Sequence, residues 1–180
     1  YAGFIESSQS DYANALIDLQ RAEANPSYAT IVPVLITYVY YKQKSYDQLL
    51  SYTATVLSKE GISSAAEISL LAAETHYRKN DFGKALPLYI DYLDDEARKA
   101  DRGVLFRAGS TAFRQKDTDH ALQYLKASAS DLDTIGTSAS YLIGLIYLQR
   151  KEKPLALTAF ENVKNTTIDA RIAEESLFLS

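Results

Sequence analysis

The 180 residues contain no cysteine, methionine or tryptophan, and only two histidines, four prolines and seven glycines. Without cysteine there is no disulfide framework, no thiolate metal site and no cysteine nucleophile, and reducing and oxidising compartments suit the chain equally. The histidines, His76 and His120, stand 44 positions apart with no paired-histidine spacing, so any metal site would have to rest on carboxylates. No apolar run approaches the roughly 18–20 residues that cross a bilayer. The net charge of −4 supplies no attraction to phosphate backbones or anionic lipid, and no nucleic-acid partner is expected. Low glycine, low proline and six valines, against 24 alanines and 22 leucines, favour helix, because alanine and leucine lose little freedom in one. The same composition disfavours a β-sandwich or barrel.

What the chain does contain is a repeat. Tyr12-Ala13-Asn14-Ala15-Leu16, Phe82-Gly83-Lys84-Ala85-Leu86, Thr118-Asp119-His120-Ala121-Leu122 and Lys153-Pro154-Leu155-Ala156-Leu157 share one phrase, with alanines separated by 70, 36 and 35. The first gap is two periods, and Tyr46-Asp47-Gln48-Leu49-Leu50 lies in its middle with Gln48 in the alanine slot. Four residues after each slot comes a bulky side chain: Leu19, Tyr52, Tyr89, Leu125 and Phe160. Twelve residues before lie Gly3, Ile36, Ala73, Gly109 and Gly144. Two helices per repeat satisfy this pattern, because a small residue on each lets their axes approach while the residue four places on stays on the inner face.

Polar phrases separate the two helices of each copy: Lys42-Gln43-Lys44-Ser45, Lys79-Asn80-Asp81, Gln115-Lys116-Asp117-Thr118 and Arg150-Lys151-Glu152-Lys153. Their cations suit the negative end of the preceding helix, and Asp81 and Thr118 are candidate N-caps for the next. The resulting assignment places second helices at 12–24, 46–58, 82–95, 118–129 and 154–164, and first helices at 28–42, 65–79, 102–115 and 137–150.

This pattern resembles the tetratricopeptide repeat, a helix-turn-helix of about 34 residues with a small residue in each helix and aromatics at fixed offsets. The fifth copy matches best, with Ile143-Gly144, Tyr147, Ala156 and Phe160; the second matches least, with Ile36 and Gln48 in the small positions and Pro33 in its first helix. The resemblance implies an all-α, right-handed superhelical solenoid of antiparallel helix pairs, a single array over 1–180. Its repeats run 1–27 (partial), 28–64, 65–101, 102–136 and 137–170, with the start of a sixth at 171–180. Gly3 falls at the eighth position of copy one and 171–180 opens copy six, so the expectation is a fragment of a longer protein. Its uncapped ends are expected to self-associate, since solenoids need polar caps.

Chemistry is scarce. Asp94-Asp95-Glu96 and Asp131-Asp133 lack the glycine and ligand spacing of a calcium loop and read as solvated turns or helix caps, and Arg98, Lys99, Asp101 and Arg102 read as a solvated turn. His76 replaces an aromatic as a packing residue. Gly83-Lys84-Ala85 lacks the remainder of a phosphate loop, and no GxSxG elbow occurs. The expectation is no enzyme and no cofactor. Asn165-Thr166-Thr167 fits a glycosylation sequon.

In the family it resembles, the first helices line a groove. That correspondence brings forward Thr37, Tyr40 and Tyr41 from copy two, and Glu74, Tyr77 and Arg78 from copy three. Copy four contributes Phe106, Arg107, Ser110, Phe113 and Arg114, and copy five Tyr141 and Leu145. Tyrosine and arginine concentrate binding energy. The Lys and Asn of the family's carboxylate clamp are absent, with Arg107 the lone match. The resemblance thus implies a non-catalytic scaffold or adaptor for a protein or peptide. The rival readings are an assembly component of a bacterial cell envelope, which would be periplasmic or attached to the outer membrane, and a regulatory module joined to another domain.

Overall fold

The computed structural model describes residues 9–94, 100–131 and 133–164, and among them there are nine helices and no strands. They are α1 (Gln9–Glu23), α2 (Val32–Lys42), α3 (Tyr46–Val56), α4 (Ala65–Arg78), α5 (Phe82–Leu93), α6 (Arg102–Arg114), α7 (Thr118–Ser128), α8 (Thr134–Gln149) and α9 (Lys153–Lys164). Gly3, residues 171–180 and the sequon at Asn165 lie outside the described residues. The chain divides into two compact units, 1–76 and 77–180, with the division inside α4. The helices alternate as the repeat requires. Three helix starts differ from expectation by three residues or more, α1 beginning at Gln9 rather than at 12, and α3 and α5 end two residues early. The α2 helix begins at Val32 because Asn25 folds the preceding residues into turns: its side-chain oxygen accepts from Ser27 N at 3.0 Å and its carbonyl from Tyr28 N at 2.9 Å. That places Pro33 in the first turn, where a missing N–H does no harm. The α8 helix begins three residues early, at Thr134, because Asp133 caps it.

The four short turns share one device. Lys44, Asn80, Lys116 and Lys151 all have left-handed backbone, with φ of 58°, 57°, 62° and 61°. In three of them two hydrogen bonds close the helix end: Ser45 N to Tyr40 O and Lys44 N to Tyr41 O, Asp117 N to Ala112 O and Lys116 N to Phe113 O, Glu152 N to Tyr147 O and Lys151 N to Leu148 O. These are Schellman closures, which ordinarily use glycine. Lysine there carries the steric penalty of a Cβ in left-handed backbone. Lys44→Gly, Lys116→Gly and Lys151→Gly are each expected to raise stability by about 0.5–1 kcal/mol net of glycine's greater unfolded freedom, read from urea midpoints. N-capping departs from expectation. Thr118 is already the first helical residue, and Asp117 accepts from His120 N at 3.2 Å as the cap. Asp81 occupies the N-cap position without a capping hydrogen bond and pairs with Lys84 at 3.3 Å.

The small positions work as the spacing predicts. Ala85, Ala121 and Ala156 are buried, whereas Gln48 is exposed in the same slot. In the second unit Leu125 packs over Gly109 and Phe160 over Gly144, each the residue four places after the small one on the partner helix. The core there gathers Leu86, Ala112, Leu122, Leu125, Leu142 and Ile146, with Phe106, Phe113 and Leu145 partly buried against it. In the first unit Ile36, Leu49, Val56 and Ile68 are fully buried.

Asp133 is the cap of α8, one of the two roles expected of the acidic pair, and Arg102 is more than part of a solvated turn. From the start of α6 its guanidinium donates to Ser128 O at 3.0 and 3.2 Å, to Asp131 Oδ2 at 2.5 Å and to both carboxylate oxygens of Asp133 at 3.0 Å. One planar fork thus ties the start of α6, the end of α7 and the cap of α8. Asp133 also accepts from Gly136 N at 2.9 Å. The Arg102 hydrogen bond, with that of Gly136, holds the Asp133 carboxyl below its ordinary value. Burial alone would raise Asp117, but the side-chain and backbone hydrogen bonds from His120 outweigh it and lower it too. Depressed carboxyls stabilise the fold above their unfolded pKa near 4, and that stability is lost as pH falls through the folded values. The urea midpoint is therefore expected to drop between pH 5 and pH 2, less steeply in Asp133→Asn.

Candidate functional site

The residues that the resemblance brings forward fall in both units. In the first unit, Tyr40 and Tyr41 are half-buried near the C-terminal end of α2. Tyr40 meets Tyr52 edge-to-face at 6.0 Å, and Tyr41 tilts against Tyr46 at 6.3 Å. Tyr52 donates to Glu23 Oε1 at 2.8 Å; burial, then that carboxylate, push the phenol well above its ordinary pKa. Beside this pair opens a cavity of about 550 Å³, lined among others by Gln20, Thr30, Thr55, Lys59 and Glu60, which spacing alone did not disclose. Thr37 is a correction: it is fully buried and its hydroxyl donates to Pro33 O at 2.9 Å, so it has no surface to offer. Glu74 is also buried.

In the second unit, Tyr77 and Arg78 end α4, and Phe113 and Arg114 end α6. The sequence reading missed the residue that joins them. Phe82, the first residue of α5, meets Tyr77 edge-to-face at 5.7 Å, and the Arg114 guanidinium lies over its ring at 4.7 Å. Phe82 opens the repeated phrase, as Tyr46 does in copy two, and that shared place was the available signal. A guanidinium stacked by its face still donates through its edge. Arg78 and Arg114 are exposed, and Tyr77 and Phe113 half-buried.

Of the remaining positions one is buried and four are half-buried. Ser110 is a second correction: it is buried and its hydroxyl donates to Arg107 O at 3.0 Å. A Cβ built at Gly103 would stand 3.1 Å from Arg107 Nη1, so that guanidinium lies against the glycine. Phe106 and Leu145 lean on the core, and Tyr141 packs on Phe160 at 5.9 Å. Among these positions Arg78 and Arg114, at the C-terminal ends of α4 and α6, are exposed, while Tyr40, Tyr41, Tyr77, Phe106, Arg107, Phe113, Tyr141 and Leu145 are half-buried alike. His120 completes a polar corner, with Nδ1 2.7 Å from Asp117 Oδ2 and its ring stacked on Tyr124 at 5.8 Å. Burial, with Asp94 and Asp117 nearby, pushes the Tyr124 phenol up to about 12. Among the described residues no three His, Asp or Glu side chains gather as a metal site, and no helix is long and apolar enough to cross a membrane.

Helix hairpins of one pattern, small residues at their crossings and left-handed turns between them define a tetratricopeptide-like helical-repeat fold. The chain is similar in structure to "MamA MSR-1 C2", a tetratricopeptide-containing protein, with a TM-score of 0.61 over 87% of each chain at 16% sequence identity. No family model and no curated protein matches the sequence.

Proposed function

We propose that this chain is a non-catalytic scaffold that binds a protein or peptide, and that the partner engages the C-terminal ends of the first helices. The observation that carries this reading is the Tyr77–Phe82–Arg114 cluster, with Arg78 and Phe113 beside it. Rings held by packing present area at little entropic cost, and stacked arginine supplies directed donors. Tyr40 and Tyr41 offer the same chemistry on the first unit, and Phe106, Arg107, Tyr141 and Leu145 contribute through their half-exposed portions. Thr37, Glu74 and Ser110 support the helices rather than the partner. The negative net charge disfavours nucleic acid as the ligand.

The test is affinity capture from native lysate with the parent chain and with a Tyr77→Ala, Arg78→Glu, Arg114→Glu variant of unchanged circular dichroism. Hot-spot truncations of this kind weaken binding by about 2 kcal/mol or more each, so the triple variant is expected to lose its partner. Equal capture by both proteins would move the interface elsewhere, and turnover of a substrate by the purified chain would contradict the non-catalytic reading.

A further inference from the structure

The cavity of the first unit lies at the corner where α1 and α3 end, and its volume of about 550 Å³ falls in the range of small-ligand sites, about 300–1,000 Å³. Its lining is rich in hydrogen-bond acceptors. Glu23 and Glu60 bring carboxylates. The hydroxyls of Tyr52 and Thr55 already donate elsewhere, Tyr52 to Glu23 Oε1 at 2.8 Å and Thr55 to Ser51 O at 3.3 Å, so each is left with acceptor lone pairs alone. Both helices finish here, and the C-terminal end of a helix carries the negative pole of its dipole. The one cationic side chain in the lining is Lys59, and Val56, Ile62 and the Tyr52 ring supply apolar wall.

We propose that this cavity binds an organic cation, an alkyl chain ending in an ammonium or guanidinium group, with the carboxylates of Glu23 and Glu60 as its counter-ions. Such a head group has only donors and no acceptor, the complement of a lining whose polar atoms are mostly acceptors. Its bonds to carboxylates are of the charge-assisted, stronger kind, and an aromatic ring beside them adds attraction for positive charge. The alkyl stem is matched by Val56 and Ile62. A bare metal ion suits the site less well, because the cavity is many times the size of an ion and among the described residues no three His, Asp or Glu side chains gather to ligate one. An anion would meet two carboxylates and two helix C-termini with a single lysine in its favour. That lysine opposes a cation, so the site is a weak one. It is independent of the Tyr77–Phe82–Arg114 cluster, which belongs to the second unit.

The test is a titration of the full chain followed by backbone amide chemical shifts in heteronuclear NMR. The probes are spermidine, the capped tripeptide acetyl-Ala-Lys-Ala-amide and, as the anionic control, acetyl-Ala-Glu-Ala-amide. Saturating shifts are expected around Gln20, Glu23, Thr30, Tyr52 and Glu60, with a Kd of about 0.1–5 mM for a cationic probe and no saturation by the control. Saturation by spermidine alone assigns the site to a free polyamine, and saturation by the lysine peptide assigns it to a basic side chain of a protein segment; both support the proposal. Joint Glu23→Gln and Glu60→Gln replacement, which leaves Tyr52 an acceptor, is expected to weaken binding about fivefold or more, and Lys59→Gln to strengthen it about twofold. Shifts that fail to saturate by about 20 mM, that persist unchanged in the double variant or that the anionic control reproduces overturn the proposal, as does weaker binding in Lys59→Gln.

Discussion

Gly144→Ala is expected to destabilise the fold by about 1–3 kcal/mol, although alanine is the better helix former by nearly 1 kcal/mol. A Cβ at this position would stand 2.5, 2.6 and 2.8 Å from three atoms of the Phe160 ring. The ring has little room to withdraw, since Tyr141 packs on it at 5.9 Å. Gly109→Ala is expected to behave alike, its Cβ meeting Leu125 Cγ at 2.7 Å and Leu125 N at 3.1 Å. Gly83 supplies the internal control. Its nearest neighbour for a Cβ is Gln115 Oε1 at 3.8 Å, so Gly83→Ala is expected to stabilise by up to about 1 kcal/mol. Phe160→Leu should relieve part of the Gly144→Ala penalty, giving a non-additive pair. Chemical denaturation of the five variants decides the matter; a Gly144→Ala protein stabilised as Gly83→Ala is would show that the helices of copy five do not meet there.

Gly136→Ala is expected to cost more, about 2–4 kcal/mol, and for a different reason. Gly136 is not in left-handed backbone, so conformational freedom is not at issue. Its Cβ would run into the Asp131 carbonyl, a backbone atom that cannot swing aside as a side chain does. Moving that carbonyl disturbs the residues that accept from Arg102 and the cap that accepts from Gly136 N. The damage should therefore overlap with that of Arg102→Ala. A double-mutant cycle is expected to give a combined loss smaller than the two separate losses added, whereas strict additivity would mean that the clamp and the cap act independently.

The helices and their pairing were legible in the sequence because they rest on local periodicity and on spacing that recurs. The small residues at 85, 109, 121, 144 and 156 announced the crossings, and two of them lie under the bulky partner that the offset predicts. What spacing could not carry was the accounting of polar groups. Thr37 and Ser110 were read as groove positions, but a short hydroxyl bonded to its own helix can be buried without loss. The acids at 131 and 133 were legible as a turn or cap, but their pairing with Arg102 was not, because those bonds join residues 29 and 31 apart. Phe82 was hidden for the same reason, since the guanidinium over it comes from the next helix pair.

The measurement that bears most directly on the scaffold reading is hydrogen exchange on the chain alone and with its captured partner. Protection is expected to rise at the C-terminal ends of α4 and α6, around Tyr77, Arg78, Phe113 and Arg114, and at the start of α5 around Phe82. Protection confined to the second helices α7 and α9, with the ends of α4 and α6 unchanged, would contradict it.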